Sequence, residues 1–318
     1  MTKIVVLDGY AMNPGDLPWQ PLQKLGDLQI YDLTAAEDIL IRSESADILL
    51  TNKTPLSKET LRRLPRLRFI SVMATGYNVV DTAAAREQGI LVSNVPGYAA
   101  GAVAQHVFAL LLAFASQVSA HAQDVWKGGW QASPHWSYTL SPTFELAGKT
   151  MGILGLGSIG RKVAEIALAF DMKVIACHKH PQRDQLPGIL FVDLETLFRR
   201  SDVLSLHVPL NAQTAGIVNK HHLQLMKPSA LLINTSRGGL ISEADLRDAL
   251  GNGTLAGAAL DVLSVEPPTP GNPLIGCKNC LVTPHNAWAT REARQRLLLE
   301  SAENVSAFIR QRPRNLVN

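Results

Sequence analysis

The chain holds only three cysteines in 318 residues, Cys177, Cys277 and Cys280. A low, odd count excludes a disulfide framework and suits a reducing compartment, so a cytoplasmic protein is expected. The pair Cys277-Lys-Asn-Cys280 spells C-x-x-C. No second pair completes a tetrahedral metal site, and these residues read better as loop positions before a strand, with no metal expected. Long apolar runs are missing too. The longest, Val107–Ala115, is about half of the ~20 residues that a bilayer requires, so no membrane partner is expected. Charge of one sign is not in excess: 30 Lys+Arg stand against 27 Asp+Glu, spread along the chain, for a net +3. That balance gives no footing for nucleic acid and is compatible with a small anionic substrate. There is no internal repeat and no low-complexity stretch. The opening MTKIVVLDGY lacks the pattern of a signal peptide and reads as a first strand.

What is present is ordinary globular material, 46% apolar and 18% charged, which excludes disorder. The length exceeds what one core usually serves, so two domains are expected. Short apolar runs read as strands at Ile4–Leu7, Leu28–Tyr31, Ile48–Leu50, Phe69–Val72 and Ile90–Val92. Helix-like segments such as Ser57–Leu64 and Val80–Gln88 lie between them. This alternation predicts a parallel sheet covered on both faces. Residues 101–127 read as one long buried helix, since apolar residues surround its axis. An irregular loop with Gly128, Gly129, Trp130, Pro134, Trp136 and Pro142 follows. A second set of strands is predicted at Thr150–Leu154, Lys173–Cys177, Val203–His207, Ala230–Asn234, Ala256–Asp261 and Leu281–Thr283. A final helix, about Thr290–Arg310, ends before Pro313. The fold class expected is α/β, with two doubly wound, Rossmann-like parallel-sheet domains.

The segment 152–160, GILGLGSIG, contains G-x-G-x-x-G from Gly155 to Gly160. An apolar strand precedes it and a helical pattern follows, the context that gives this motif meaning. Gly155 permits the tight turn, Gly157 lets the backbone approach a pyrophosphate, and Gly160 allows close helix–strand packing. Ser158 and Ile159 lie at the helix N-terminus, whose unpaired N–H groups suit an anion. The next strand ends at Cys177, where an NAD enzyme places Asp or Glu for the ribose 2′-hydroxyl. Here His178, Lys179, His180 and Arg183 follow, with no carboxylate until Asp184. Lys179 and Arg183 can pair with a 2′-phosphate, so the reading favours NADP(H) over NAD. The alternative is a solvated turn that tolerates either cofactor.

Three further stretches carry chemistry at predicted strand ends, the edge where open α/β sheets bind ligands. They are LLINTSRGG (231–239), ALDV followed by Glu266-Pro267-Pro268, and VTPHNAW (282–288). Arg237 offers a cationic fork for a carboxylate and its neighbouring carbonyl. His285 can exchange a proton near neutral pH, and Glu266 can hydrogen-bond its imidazole and fix the tautomer. Each has a bland alternative alone; together, beside a glycine loop, they point to a dehydrogenase.

At this point the chain resembles the D-isomer-specific 2-hydroxyacid dehydrogenases over nearly its whole length. The matching segments are ATGYNVVD (74–81), NVPGYAAGAVAQHVFALLL (94–112), ELAGKTMGILGLGSIG (145–160), SLHVPLNAQTAGIVN (205–219), LLINTSRGGLI (231–241), LDVLSVEP (260–267) and TPHNAW (283–288). The resemblance implies that Arg237, Glu266 and His285 are the catalytic trio. It implies substrate contacts from Thr75, Gly76, Tyr77 and Trp288, with the 75–77 backbone clamping a carboxylate and domain closure excluding water. It adds His207, Val208, Pro209, Thr214, Thr235, Ser236 and Asp261 to the cofactor residues. It implies a substrate domain of 1–98 plus 287–318 with the dinucleotide domain, 99–286, inserted into it. A homodimer formed through the long helix and the aromatic loop is the family habit. TPHNAW, TNKTPL (51–56) and the ATGYN loop look similar to the glycerate dehydrogenase and hydroxypyruvate reductase branch. The implied reaction is NAD(P)H-dependent reduction of a small 2-oxo acid, hydroxypyruvate or glyoxylate, to the D-2-hydroxy acid. Another acid such as D-lactate is the alternative within the class, and a dinucleotide-sensing corepressor the alternative outside it. A serine hydrolase is a weak third reading, since Ser158 does not lie in G-x-S-x-G.

Six residues stay open on sequence alone. Trp288 reads either as the wall of a small pocket or as core packing. Asn52 or Lys53 reads either as a substrate contact or as an exposed turn. Trp136 reads as loop packing or as a reach into a partner. Gln105 stands where the family often has an acid, before His106. Ser242 reads as the cap of a helix at 243–250.

Overall fold

The computed structural model describes all residues, Met1–Asn318. It separates into two compact units: Met1–Ala99 with Trp288–Asn318, and Ala100–Ala287. In the first unit, strands β1 (Lys3–Val6), β2 (Asp27–Ile30), β3 (Ile48–Thr51), β4 (Phe69–Val72) and β5 (Leu91–Ser93) form a sheet in the order β2-β1-β3-β4-β5. Every pairing is parallel. Side chains alternate between two cores. Val5, Leu49, Ile70 and Val72 enter one, and Ile4, Val6, Ile48, Leu50 and Phe69 enter the other. Both faces are therefore covered, which is why these strands read as unbroken apolar runs. The helix Arg291–Ile309 covers the second face with Leu297, Leu298 and Val305. Thr290 caps it, accepting from Ala293 N at 3.3 Å.

The second unit carries seven parallel strands. These are β6 (Thr150–Leu154), β7 (Lys173–Cys177), β8 (Ile189–Phe191), β9 (Val203–Leu206), β10 (Leu231–Asn234), β11 (Gly257–Leu260) and β12 (Cys280–Val282). Their order is β12-β11-β10-β9-β6-β7-β8. The chain runs outward from β6 to β8, then returns to β6's other side with β9, so the topological switch lies between β6 and β9. The same alternation holds here: Met151, Ile153, Val174, Leu231 and Ile233 face one core, and Leu154, Ile175, Leu204 and Leu232 the other.

Three elements differ from the sequence expectation. The segment read as an irregular loop from Gly128 onward holds a short helix, Gly129–Ala132. Residues 101–127 are not one helix. Ala100–Ala115 and Val118–Trp126 meet at a bend of 57°, with Gln117 in the left-handed region at φ 48°. The break falls where burial ends: the first segment has eight buried residues and the second none. No single helix is long and apolar enough to cross a membrane. Strand β8 was also not expected. It is three residues long and only partly buried, so it lacks an apolar signature.

Candidate active site

Because all seven strands of the second unit are parallel, their carboxyl ends share one edge, and the sequence-predicted residues follow strand after strand along it. Gly155 follows β6, His178 follows β7, His207 follows β9, Thr235–Arg237 follow β10, Asp261 follows β11 and His285 lies just after β12.

The glycine turn can be tested atom by atom. Gly155 has φ +95°, and a Cβ there would sit 2.8 Å from Val208 and 2.9 Å from the His207 carbonyl. A Cβ on Gly160 would lie 2.2 Å from the Gly155 carbonyl. At Gly157, by contrast, a Cβ would meet no atom within 4 Å. Two glycines therefore serve chain packing, and the third borders open space. The helix Ser158–Ala169 begins there, and its first intrahelical bond runs from Arg161 N to Gly157 O at 2.9 Å. The N–H groups of Ser158 and Ile159 remain for an anion. The Thr235 hydroxyl is buried without a partner, the kind of orphaned group a bound molecule satisfies. These observations fit a dinucleotide.

Around the rest of this cradle the chain holds itself together. Ser236 Oγ donates to Val208 O at 2.7 Å, and Thr214 Oγ1 to Pro209 O at 2.6 Å. His207 Nε2 lies 2.9 Å from Ser205 Oγ. Burial of the His207 ring pulls its pKa down to about 4.

At the β7 end the expected basic turn is more organised than its sequence suggests. Leu156 N donates to His178 Nδ1 at 3.2 Å, so His178 donates through Nε2 to Asp184 at 2.8 Å. Arg183 and Arg161 join the same carboxylate at 2.7 and 2.8 Å. The Arg183 guanidinium, then His178, holds the Asp184 carboxyl well below the usual range. Lys179 is exposed and stands outside this cluster. Arg161 and Asp184 were not among the expected cofactor residues. Arg161 directly follows Gly160, a signal that was available; the gathering role of Asp184 was not.

Arg237 is half-buried after β10. Buried Asn234 shapes that turn, accepting from Ser236 N at 3.0 Å and donating to Arg237 O at 2.9 Å. Of the guanidinium's donors, NH1 reaches Ser236 O at 2.7 Å, leaving the fork otherwise available. His285 Nδ1–H donates to Glu266 Oε2 at 2.6 Å, and Glu266 Oε1 accepts from Leu263 N at 3.1 Å. His285 Nε2 bonds no protein group and is the atom able to exchange a proton with a ligand. The ring is carried on a strained turn, with His285 at φ 51°, a conformation that costs roughly 1–2 kcal/mol for a non-glycine residue. Asp261, 1% exposed, accepts from Asn286 N and Ala287 N at 2.9 Å each. Hydrogen bonds to a charged group contribute about 1.5–3 kcal/mol apiece, so this carboxylate outweighs the strain.

The other expected positions behave variously. In the first unit, Thr75, Gly76 and Tyr77 form a loop after β4. Asn94 Nδ2 holds its Thr75 carbonyl at 2.6 Å, and Thr75 Oγ1 reaches Val95 O at 2.9 Å. The three backbone N–H groups of that loop have no acceptor in the chain. Trp288 packs on the first unit's core, edge-on to Tyr98 at 6.3 Å. Asn52 is structural: it is buried and donates to Met73 O at 2.5 Å. Lys53 is exposed. Loop packing does not hold for Trp136, whose side chain is 89% exposed; only its carbonyl is engaged, by Trp130 Nε1 at 3.1 Å. Ser242 sits at the N-cap of the helix Glu243–Gly251, but its hydroxyl makes no capping bond. Cys277 and Cys280 are free and lie at the amino end of β12, the sheet edge opposite the site. Burial pushes the Cys280 thiol up to about 12.

A sheet edge that can cradle a dinucleotide and present a carboxylate-paired imidazole beside a cationic fork defines a nicotinamide-dependent dehydrogenase. Residues 108–287 match the family model described as D-isomer specific 2-hydroxyacid dehydrogenase, NAD binding domain. The chain belongs to that family. It is 46% identical to a hydroxypyruvate reductase of Blautia hydrogenotrophica, with 99% of each chain covered. It is 44% identical to a glycerate dehydrogenase of Methylorubrum extorquens, over 99% of this chain and 98% of that one. Among solved structures it resembles an acyclic imino acid reductase in complex with NADPH and D-Arg, at 36% identity, TM-score 0.88 and full coverage of both chains.

Proposed function

We propose that the protein reduces hydroxypyruvate or glyoxylate to D-glycerate or glycolate, with NADPH preferred to NADH. The observation that carries the reading is the 2.6 Å bond from His285 to Glu266, on the same carboxyl edge of the sheet as the glycine cradle, with β12 four strands over from β6. The reduced dinucleotide, when bound, supplies hydride from its nicotinamide C4 to the carbonyl carbon. His285 delivers the proton that the carbonyl oxygen takes up, through the Nε2 that no protein group occupies. Glu266 keeps Nδ1 as the donor on the far side of the ring and stabilises the charged imidazolium before transfer. Arg237 binds the substrate's carboxylate through its fork and polarises the carbonyl oxygen. The free N–H groups at Thr75, Gly76 and Tyr77 suit a carboxylate as well, and Trp288 is offered as a substrate contact.

Support for NADPH is electrostatic. Two guanidiniums, Arg161 and Arg183, share the single Asp184 carboxylate, with Lys179 nearby in sequence. That surplus of positive charge matches a 2′-phosphate. The presence of the full Arg237, Glu266 and His285 set speaks against a corepressor, which requires cofactor binding and no turnover. Three free cysteines support a cytoplasmic setting. A homodimer is proposed through residues 118–140, where Trp126 and Trp130 are 82% and 53% exposed. Sedimentation should give twice the chain mass, and Trp126→Glu with Trp130→Glu should shift it to the monomer; a monomeric parent protein removes the proposal.

The test of function is a panel of hydroxypyruvate, glyoxylate, pyruvate and phenylpyruvate with each cofactor. Hydroxypyruvate or glyoxylate with NADPH should give the highest kcat/KM. A higher value for pyruvate would move the assignment to a D-lactate enzyme. Tight NADPH binding without oxidation by any acid would favour the sensor.

A further inference from the structure

His106 and Thr283 are 177 residues apart and are brought together at 3.1 Å, His106 Nε2 to Thr283 Oγ1. Thr283 Oγ1 donates its own proton to Asp261 Oδ1 at 2.6 Å. The hydroxyl oxygen is therefore an acceptor toward His106, and His106 donates through Nε2–H. The chain of donation runs from the buried helix Ala100–Ala115 to the threonine and on to the carboxylate, whose Oδ1 also lies 3.6 Å from His106 Nε2 directly. That carboxylate grips Asn286 N and Ala287 N, the two amides that follow His285. Thr283 also bounds the turn on its other side, since His285 N donates to Thr283 O at 2.9 Å.

A carboxylate held by two amides alone can still rock about its Cβ–Cγ bond. A short hydroxyl bond to Oδ1 fixes its plane, and a donor behind that hydroxyl fixes the rotor. The left-handed His285 backbone is thus aimed by a series of directional contacts that begins outside the catalytic turn. We propose that His106 and Thr283 are positioning residues that set the direction of the His285 imidazole. The inference rests on His285 being the proton donor of the proposed reaction.

The test uses two isosteric pairs in the full chain. Thr283→Val keeps the β-branched shape and removes the hydroxyl, and Thr283→Ser restores it. His106→Leu removes the donor, and His106→Gln places an N–H close to the position of Nε2. Removing the threonine hydroxyl should lower kcat by roughly tenfold or more, because small misplacements of a catalytic group are costly. His106→Leu should lower it by roughly threefold to tenfold, and the double variant should be slowed by less than the product of the two single effects, as expected for residues that act on one carboxylate. Thr283→Ser and His106→Gln should recover most of the rate, and the NADPH Kd should stay within about twofold throughout. Wild-type kcat in both Thr283→Val and His106→Leu overturns the proposal. So does equal slowing in the conservative and non-conservative members of each pair, which marks a packing role. If Thr283→Val fails to fold, the His106 pair decides alone. His285→Ala separates the two levels: if it keeps turnover, the catalytic reading itself fails; if it is inactive while both test variants run at full rate, only the positioning role fails.

Discussion

His207 is held at the carboxyl end of β9 with its ring desolvated and its Nε2 against Ser205. The folded-state pKa of about 4 lies below the ~6.5 of an unfolded histidine. Between those values the unfolded chain binds more protons than the folded one, so stability is lost as pH falls from about 6.5 to about 4, on the order of 3 kcal/mol in full. The carboxyl of Asp184 is also shifted downward, but from an ordinary value already below this window, so its contribution is lost only at still lower pH and leaves the window clear. Urea midpoints measured from pH 7 to pH 4.5 should fall for the natural protein and fall much less for His207→Asn. Parallel slopes for the two proteins would show that another group carries the acid sensitivity. Residue-scale features of this kind were only partly legible in the sequence. Arg237, Glu266 and His285 are visible because each follows a strand signature in a recognisable motif. The desolvation of His207 and the collecting role of Asp184 depend on neighbours that the linear order does not bring near.

The glycine turn proposed to bind the dinucleotide makes an equally specific prediction. Gly160 lies so close to the Gly155 carbonyl that any side chain there displaces the helix from β6. Gly157 lies beside open space and has φ −76°, a value that alanine adopts readily. Gly157→Ala should therefore fold with an unchanged Tm, while its methyl group stands where a pyrophosphate approaches and weakens NADPH binding by roughly tenfold or more. Tm by calorimetry and Kd by fluorescence titration check both halves. A lowered Tm with normal binding would make Gly157 a packing glycine like its neighbours. Elements with a strong two-face pattern were legible in the sequence. Strands β6 and β7 match the expected limits, Thr150–Leu154 and Lys173–Cys177, because their apolar runs are bounded by turn chemistry. The bend at Gln117 was not legible. Ser116 and Gln117 are both compatible with a helix, and what ends it is the loss of anything to bury.

For the molecule as a whole, the alternation of strands and helices announced parallel sheets, and the motifs announced which strand ends carry chemistry. Strand order did not follow from either. The reversal between β6 and β9 is a property of how helices cover both faces, and it is this reversal that opens a crevice beside Gly155. The same holds for His106, whose helix is distant in sequence from β12. The resemblance to a family carried the reading further than periodicity did, since seven ordered motifs identify a reaction class that no single glycine loop can.

The imidazole of His285 is the group on which the proposed chemistry depends. Steady-state reduction of hydroxypyruvate by NADPH, measured for the natural protein and for His285→Ala with the NADPH Kd determined in parallel, tests it most directly. Loss of turnover by roughly 10²–10⁴-fold with Kd held within about twofold is the result predicted for a proton donor that acts only in the chemical step. Turnover within a few-fold of the natural protein would contradict it.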